Sequence, residues 1–188
     1  MKRFFDIIFS IIGLLVFAIP IGIVCLLIKC LEHHPVLFKQ TRIGKDMQPF
    51  TILKIQTMVD DEVTPIGRII RATGLDEVPQ FINVLRGDMS IVGPRALTID
   101  SIREMNWDDG RHDKRLSVRP GITGFAQLTE KYQSDNTYRL DCDYIDRSNV
   151  LIDLGMLCVT FGINIFGKKR VLKVLFNREF NEDTPAKA

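Results

Sequence analysis

From Ile7 to Ile28 the chain reads IIFSIIGLLVFAIPIGIVCLLI, 22 residues without a single charge. As a helix rising about 1.5 Å per residue, the stretch measures roughly 33 Å, enough to cross a bilayer core of about 30 Å. A cleavable signal peptide is the rival reading. Its apolar region would run about 7–15 residues and end in a small-residue cleavage site, which this stretch lacks. The segment therefore reads as a membrane segment. Pro20 lies in its middle, where it removes a backbone donor and kinks or breaks a helix. Lys2 and Arg3 flank one end, and Lys29, Lys39, Arg42 and Lys45 follow the other. Positive flanks favour the cytoplasmic side, and here both ends carry them. Two topologies stay open: a segment that bends at Pro20 and returns to the same face, and a single kinked span.

The 188 residues suffice for one ordinary domain and hardly for two. The expected division is a membrane helix over 1–30, a cytosolic domain over 31–180 and a disordered polar tail over 181–188. With a net charge of +2, no bulk basicity points to nucleic acid. The cysteines (Cys25, Cys30, Cys142, Cys158) form no CxxC pair and match no zinc spacing, which suits reduced, buried thiols. His33 and His34 are neighbours and would point in different directions on a helix, so they are not read as metal ligands.

In the remainder, PVLFKQTRIG and QPFTILKIQTM are β-rich runs around a turn at Gly44–Met47, a hairpin signal. Thr64 and Pro65 read as the cap and first position of a short helix carrying Arg68 and Arg71. Val78, Phe81, Ile82 and Leu85 recur at helical spacing and predict one apolar face for the next helix. That phase places Asp76, Glu77 and Pro79 in or just before its first turn. Acidic residues there are ordinary caps, because they accept free backbone donors and complement the helix dipole. Yet Lys54 on the hairpin, Arg95 in VGPR and Arg119 in the glycine-rich VRPGITG could join them. Carboxylates that hold Mg²⁺, cations that neutralise phosphoryl oxygens and glycines that admit close approach make up a metal–diphosphate site. Farther on, YRLDCDYIDRSN reads as preceding or capping a helix. The run VLIDLGMLCVTFGINIF, 17 residues with one charge, reads as a core helix or an interfacial one. GKKRVLKVLF fits a basic amphipathic helix on anionic lipid or an ordinary solvated helix end. The stretch Thr129 to Asp143, with Tyr132 and Tyr138, reads as a donor contact or a surface loop.

Taken in order, KRFFDIIFS, the break at Pro20, LKIQTM, TPIGRIIRATGLDEVPQFINVLRGDMSIVGPR, VRPGITGFAQ and YIDRSNVLIDL cover nearly the whole chain. Together they resemble the bacterial sugar transferases, small single-domain monotopic polyprenyl-phosphate phosphoglycosyl transferases. The resemblance implies an α/β membrane-associated fold. An N-terminal re-entrant membrane helix would join a compact, mostly helical cytosolic domain with a small β-hairpin and amphipathic interface helices. It implies transfer of a sugar-1-phosphate from a UDP-sugar to a polyprenyl phosphate, typically undecaprenyl phosphate, with release of UMP. That is the initiating step for exopolysaccharide, capsule, O-antigen or glycoprotein glycans, at the cytoplasmic face of the bacterial inner membrane. By resemblance, Asp76 is the nucleophile of a covalent aspartyl-phosphosugar intermediate and Glu77 a Mg²⁺ ligand, with Asp76 beside the metal. Lys54, Arg95, Arg119, Gly121 and Thr123 fall in the substrate-binding set, and Pro20 marks the membrane break. Membrane lipids are expected partners, and a homo-oligomer or downstream glycosyltransferases stay open.

The chemistry of the residues agrees. A carboxylate attacking the sugar-bearing phosphorus divides one transfer between two bulky anions into two easier steps. The helix N-terminus is expected to keep Asp76 ionised, so DE serves as both cap and chemistry. Family members commonly carry a cation where Gln56 stands, a second proline at Ala96 and a serine at Ile19. Two rival classes remain: a membrane-attached Mg²⁺-dependent phosphohydrolase, and a non-catalytic scaffold of a glycan-assembly complex. The sugar carried is not legible.

Overall fold

The computed structural model describes residues 1–128, 134–168, 170, 171 and 173. Helix α1 runs Lys2–Leu27 and passes through Pro20 without interruption. A π-type turn over Ile28–Glu32 follows, and His33, with φ 54, ends it in the left-handed region. The helix is thus not broken at Pro20. A proline deletes one backbone donor, and the ladder on either side of it holds the helix together. By length and composition this helix could cross a membrane, and almost none of its apolar window is buried inside the protein. Ile12, Leu15, Val16, Ile19, Ile23 and Leu26 lie exposed along it.

Both ends of α1 are fastened to the same domain. At the start, Lys2 Nζ donates to Asp153 Oδ2 (2.5 Å), Tyr144 Oη (2.9 Å) and the Val92 carbonyl (3.0 Å). Buried Asp6 accepts from Ser90 Oγ (3.0 Å) and the Ile91 amide (3.1 Å). Gly13 lies on the Phe81 ring, where a Cβ would come within 2.7 Å. At the far end Ile28 is fully buried with Ile55 and Ile70, and Glu32 accepts from the Ile66 amide (3.0 Å).

Strands β1 (Leu37–Ile43) and β2 (Pro49–Ile55) form the expected hairpin, paired from Leu37–Ile55 to Ile43–Pro49 across a turn at Lys45–Met47. Two short strands, β3 (Met58–Val59) and β4 (Glu62–Val63), follow. Helix α2 (Pro65–Thr73) starts as the sequence predicts: Thr64 Oγ1 accepts from the Gly67 amide (3.0 Å) and Pro65 takes the first position.

A turn at Leu75–Glu77 leads to α3 (Gln80–Arg86). Its inward face differs from the expected one. Val78, Gln80, Asn83 and Val84 are buried, whereas Ile82 is exposed. The cause is Asn83, whose amide stitches the helix to β2. It accepts from Leu53 N (3.0 Å) and donates to Thr51 O (2.7 Å) and Asp88 Oδ2 (3.1 Å). Because those bonds satisfy it, a polar side chain can occupy the core at little cost.

Strand β5 (Ser90–Val92) precedes α4 (Ile99–Glu104) and α5 (Asp113–Leu116). Strand β6 (Gly121–Thr123) then pairs parallel with β5, Ser90 opposite Gly121. Helices α6 (Phe125–Leu128), α7 (Ser134–Arg147) and α8 (Val150–Phe166) complete the described chain. Most of YRLDCDYIDRSN lies inside α7 rather than ahead of a helix, while Asn149 caps α8 by accepting from the Ile152 amide (3.0 Å).

The main core joins Ile52, Val84, Met89, Ile91, Val92, Tyr144 and Met156. A second cluster gathers Leu97, Ile102 and Leu116 around Trp107. Helix α8 buries only Met156 and exposes Leu151, Phe161, Ile165 and Phe166, so it is not a core helix. All four cysteines are free, and Cys30 and Cys158 are exposed rather than buried as expected. The 181–188 tail, Thr129 to Gln133, and Lys169, Leu172 and Val174 to Phe176 of the basic stretch lie outside the described residues.

Candidate active site

The Asp76–Glu77 pair occupies the turn ahead of α3, entered from Gly74 in the left-handed region (φ 71). Pro79 stands at the helix cap, and no side chain makes a capping bond. The pair is thus freed from a capping role. Glu77 Oε1 meets Lys54 Nζ at 2.7 Å, which links the turn to β2. Lys54, Glu77, Arg95 and Gly121 line one cleft, together with Arg42, Gln80, Met89, Ala96 and Gln127. Four of the residues singled out in the sequence therefore converge.

Asp76 adjoins Glu77 and is half-buried. Its pKa is raised, first by burial and then by the Glu77 charge, against the opposing pull of Lys54 and Arg71. This runs against the expected pull of the helix N-terminus toward its ionised form. A three-residue turn ahead of a short helix offers little dipole, and burial beside a like charge outweighs it.

Arg119 and Thr123 are placed elsewhere. Arg119 Nε donates to the Gly87 carbonyl (2.7 Å), beyond the C-terminal end of α3 and so opposite the carboxylates. Thr123 Oγ1 bonds Thr160 Oγ1 (2.7 Å) and ties β6 to α8. Pro20 lines no part of the cleft. The glycines of VGPR and PGITG have a packing cause: a Cβ at Gly93 would come within 2.7 Å of the Arg119 carbonyl oxygen and 2.9 Å of the Gly121 amide. The two loops touch backbone to backbone, and only glycine permits it. Gln56 turns back to the Met58 carbonyl (3.1 Å), and the Ala96 carbonyl accepts from Arg42 (3.3 Å).

Three polar residues of the cleft were not read as site residues from the sequence: Arg42, Gln80 and Gln127. For Arg42 a signal existed. In the hairpin register Arg42 faces Phe50, two and four residues before Ile52 and Lys54, so strand alternation puts it on the Lys54 face. Behind Arg95, the buried Arg115 donates from Nη2 to the Arg95 carbonyl (2.5 Å) and from Nε to Asp141 (2.6 Å). Its guanidinium lies 5.2 Å from the Trp107 ring centroid. Burial pushes the Asp141 carboxyl up while Arg115 pulls it down.

Among the described residues no cluster of three or more His, Cys, Asp or Glu side chains could hold a metal alone. The dyad nonetheless suits Mg²⁺, which keeps several waters and takes one or two carboxylates plus substrate phosphates. Glu77 already stands beside a cation, Lys54, and the Glu77 charge already works against ionisation of Asp76. The second feature favours an added cation between the carboxylates, for which Lys54 would have to share Glu77.

The family model described as "Bacterial sugar transferase" matches residues 1–167. An "uncharacterized sugar transferase EpsL" of Bacillus subtilis is 37% identical over 174 residues, covering 85% of each chain. A UDP-glucose:undecaprenyl-phosphate glucose-1-phosphate transferase of Caulobacter vibrioides is 36% identical over 180 residues, 85% of this chain and 67% of the relative. A UDP-N-acetylgalactosamine-undecaprenyl-phosphate N-acetylgalactosaminephosphotransferase of Aeromonas hydrophila is 33% identical over 175 residues. That match takes in 84% of this chain but only 41% of the longer relative.

Proposed function

Because the chain belongs to the bacterial sugar transferase family, we propose that it moves a sugar-1-phosphate from a UDP-sugar to undecaprenyl phosphate. The observation that carries this reading is the cleft in which Lys54, Arg95 and Arg42 face Glu77, with Asp76 adjoining it. Cations around a carboxylate pair suit a diphosphate that must be held, neutralised and attacked.

Asp76 Oδ attacks the sugar-bearing phosphorus. The bond from that phosphorus to the bridging oxygen breaks, and its electron pair leaves on UMP. A phosphate oxygen of the polyprenyl acceptor then attacks the same phosphorus, the Asp76–phosphorus bond breaks, and the carboxylate is restored. Glu77, with Asp76 beside it, would hold Mg²⁺, which would supply charge neutralisation on the diphosphate. Lys54 and Arg95 hold phosphoryl oxygens, and Arg115 keeps the Arg95 backbone in place. Burial and the Glu77 charge raise the pKa of Asp76, and cationic charge gathered around it would favour its ionised, nucleophilic form.

The reading also gives α1 a re-entrant course in the bacterial inner membrane, with the domain on the cytoplasmic face. Its support is the attachment of both helix ends to one domain. A crossing helix would carry one end about 30 Å away from it.

The experiment takes purified protein, Mg²⁺, undecaprenyl phosphate and a panel of UDP-sugars including glucose and N-acetylgalactosamine. UMP release with an organic-soluble sugar diphosphate is expected for at least one donor. Sugar phosphate delivered to water would make the protein a phosphohydrolase, and silence with every donor would leave a scaffold.

A further inference from the structure

Two buried amides stand three residues apart on α3, and their circumstances differ. Asn83, wholly buried, makes three hydrogen bonds. Gln80 is 2% exposed, and its Nε2 is enclosed without a hydrogen-bond partner. An unsatisfied buried donor is a standing cost to the fold, and methionine would fill the same space without it. Such a group persists where something outside the chain satisfies it. Gln80 lines the cleft with Lys54, Glu77 and Arg95. It lies three residues after Glu77 and four after Asp76.

From this geometry we propose that Gln80 is a substrate-binding residue. Its side-chain amide donates a hydrogen bond to a phosphoryl oxygen of the donor's diphosphate, an assignment that rests on the transferase reading above. The cleft selects that acceptor. Its cations Lys54, Arg42 and Arg95 call for an anionic ligand, and a neutral amide adds a directional bond without adding charge. The position one turn on from Asp76 suits contact with the phosphoryl group that Asp76 attacks. Gln80 thereby helps to orient the transferred group rather than to neutralise it.

The test compares wild type, Gln80→Met and Gln80→Glu as full-length proteins in one detergent. It reads three quantities: melting temperature without ligand, the rise in melting temperature produced by UDP with Mg²⁺, and kcat/KM for UMP release with an accepted donor. Gln80→Met should melt at or above the wild-type temperature, because the unsatisfied donor is gone. It should lose most of the UDP-induced rise, and its kcat/KM should fall about ten- to hundredfold, equivalent to about 1.4–2.8 kcal/mol. Gln80→Glu removes the donor and sets a second charge near Glu77, so it should lose more. A Gln80→Met protein with wild-type kcat/KM and wild-type response to UDP overturns the proposal. A melting temperature well below wild type also overturns it, since that would mean the amide is satisfied within the fold. Should the wild type release no UMP with any donor, the transferase reading fails by itself. The response of the two variants to UDP still decides the role of Gln80.

Discussion

Replacing Asp141 by asparagine should destabilise the protein sharply, although the change is nearly isosteric and opens no cavity. The side chains of Arg115 and Asp141 are 4% and 2% exposed. Removing the carboxylate charge takes the Asp141 partner from a buried guanidinium that also contacts the Arg95 carbonyl and the Trp107 ring. Breaking a buried pair from one side costs about 3–5 kcal/mol. The contacts that Arg115 keeps place this case at the lower end, about 3 kcal/mol. At about 2–4 °C per kcal/mol for a chain of this size, the melting temperature should fall by about 6–12 °C. The double variant Arg115→Met/Asp141→Leu should recover most of that loss, because apolar residues of similar volume replace a buried pair at little net cost. It should not recover function. The Arg95 carbonyl loses its Nη2 donor in the double variant, so the Arg95 loop is held less firmly and the donor KM should rise several-fold at restored stability. Melting curves at one scan rate in one detergent, with KM for the accepted donor, test both halves. An Asp141→Asn drop below about 2 °C, or a double variant as unstable as the summed single variants Arg115→Met and Asp141→Leu, would refute the reasoning.

Asp76→Asn should abolish UMP release with every donor, since an amide is no nucleophile; turnover above a few per cent of wild type would remove Asp76 from that role. Donor supplied without acceptor should leave a sugar-phosphate adduct on Asp76 in quenched protein, read by intact-mass and peptide mass spectrometry, whereas direct transfer predicts none. Because Asp76 must be ionised to attack and its pKa is raised by burial and then by Glu77, the acid limb of kcat/KM should lie above the ordinary carboxylate range. Glu77→Gln deletes the second cause, so the limb should move to lower pH while the Mg²⁺ requirement rises; an unmoved limb and an overlaid metal titration would contradict both roles. Finally, a cysteine added at the N-terminus of a protein otherwise free of cysteine should resist an impermeant maleimide applied to intact spheroplasts. Strong labelling from outside would mean that α1 crosses the membrane.

What the sequence disclosed was local. The hairpin around Gly44–Met47, the Thr64–Pro65 start of α2 and the Asn149 cap each depend on neighbours within a few residues, and each is found. The carboxylate pair and Arg95 stood out because charge in glycine- and proline-rich turns is conspicuous, and Lys54 because it is a charge on the hairpin. Long-range pairing was not. Lys2 reads as a topological flank, yet it bonds Asp153, far along the chain. Asp6 precedes the apolar run as an unremarked charge, and its partners Ser90 and Ile91 are distant in sequence. The parallel match of β5 with β6 accounts for glycines that looked like phosphate contacts, and sends Thr123 toward Thr160. Gln80 escaped notice because glutamine on a helix carries no burial signal until its surroundings are known.

An anchor of the ordinary kind can be cut away or exchanged for another without disturbing what it tethers. Here α1 supplies Asp6 to the amide and hydroxyl groups at the start of β5, and the turn that continues it supplies Ile28 to the cluster beside β2 and α2. It also meets α3 through Gly13 at Phe81 and through Arg3 Nη2 at the Leu85 carbonyl (3.2 Å). Deleting the helix would strip a buried carboxylate from its donors and bare apolar side chains, so a soluble form obtained by truncation is not to be expected. If α1 lies in lipid, as proposed, its entry there and completion of the domain would be a single event. Since α3 follows directly from the Asp76–Glu77 turn, the cleft is also held at one fixed depth relative to the apolar helix. On the proposed transferase reading, a lipid-borne phosphate diffusing in the same leaflet would meet Asp76 at a constant height, without any motion of the domain toward the membrane.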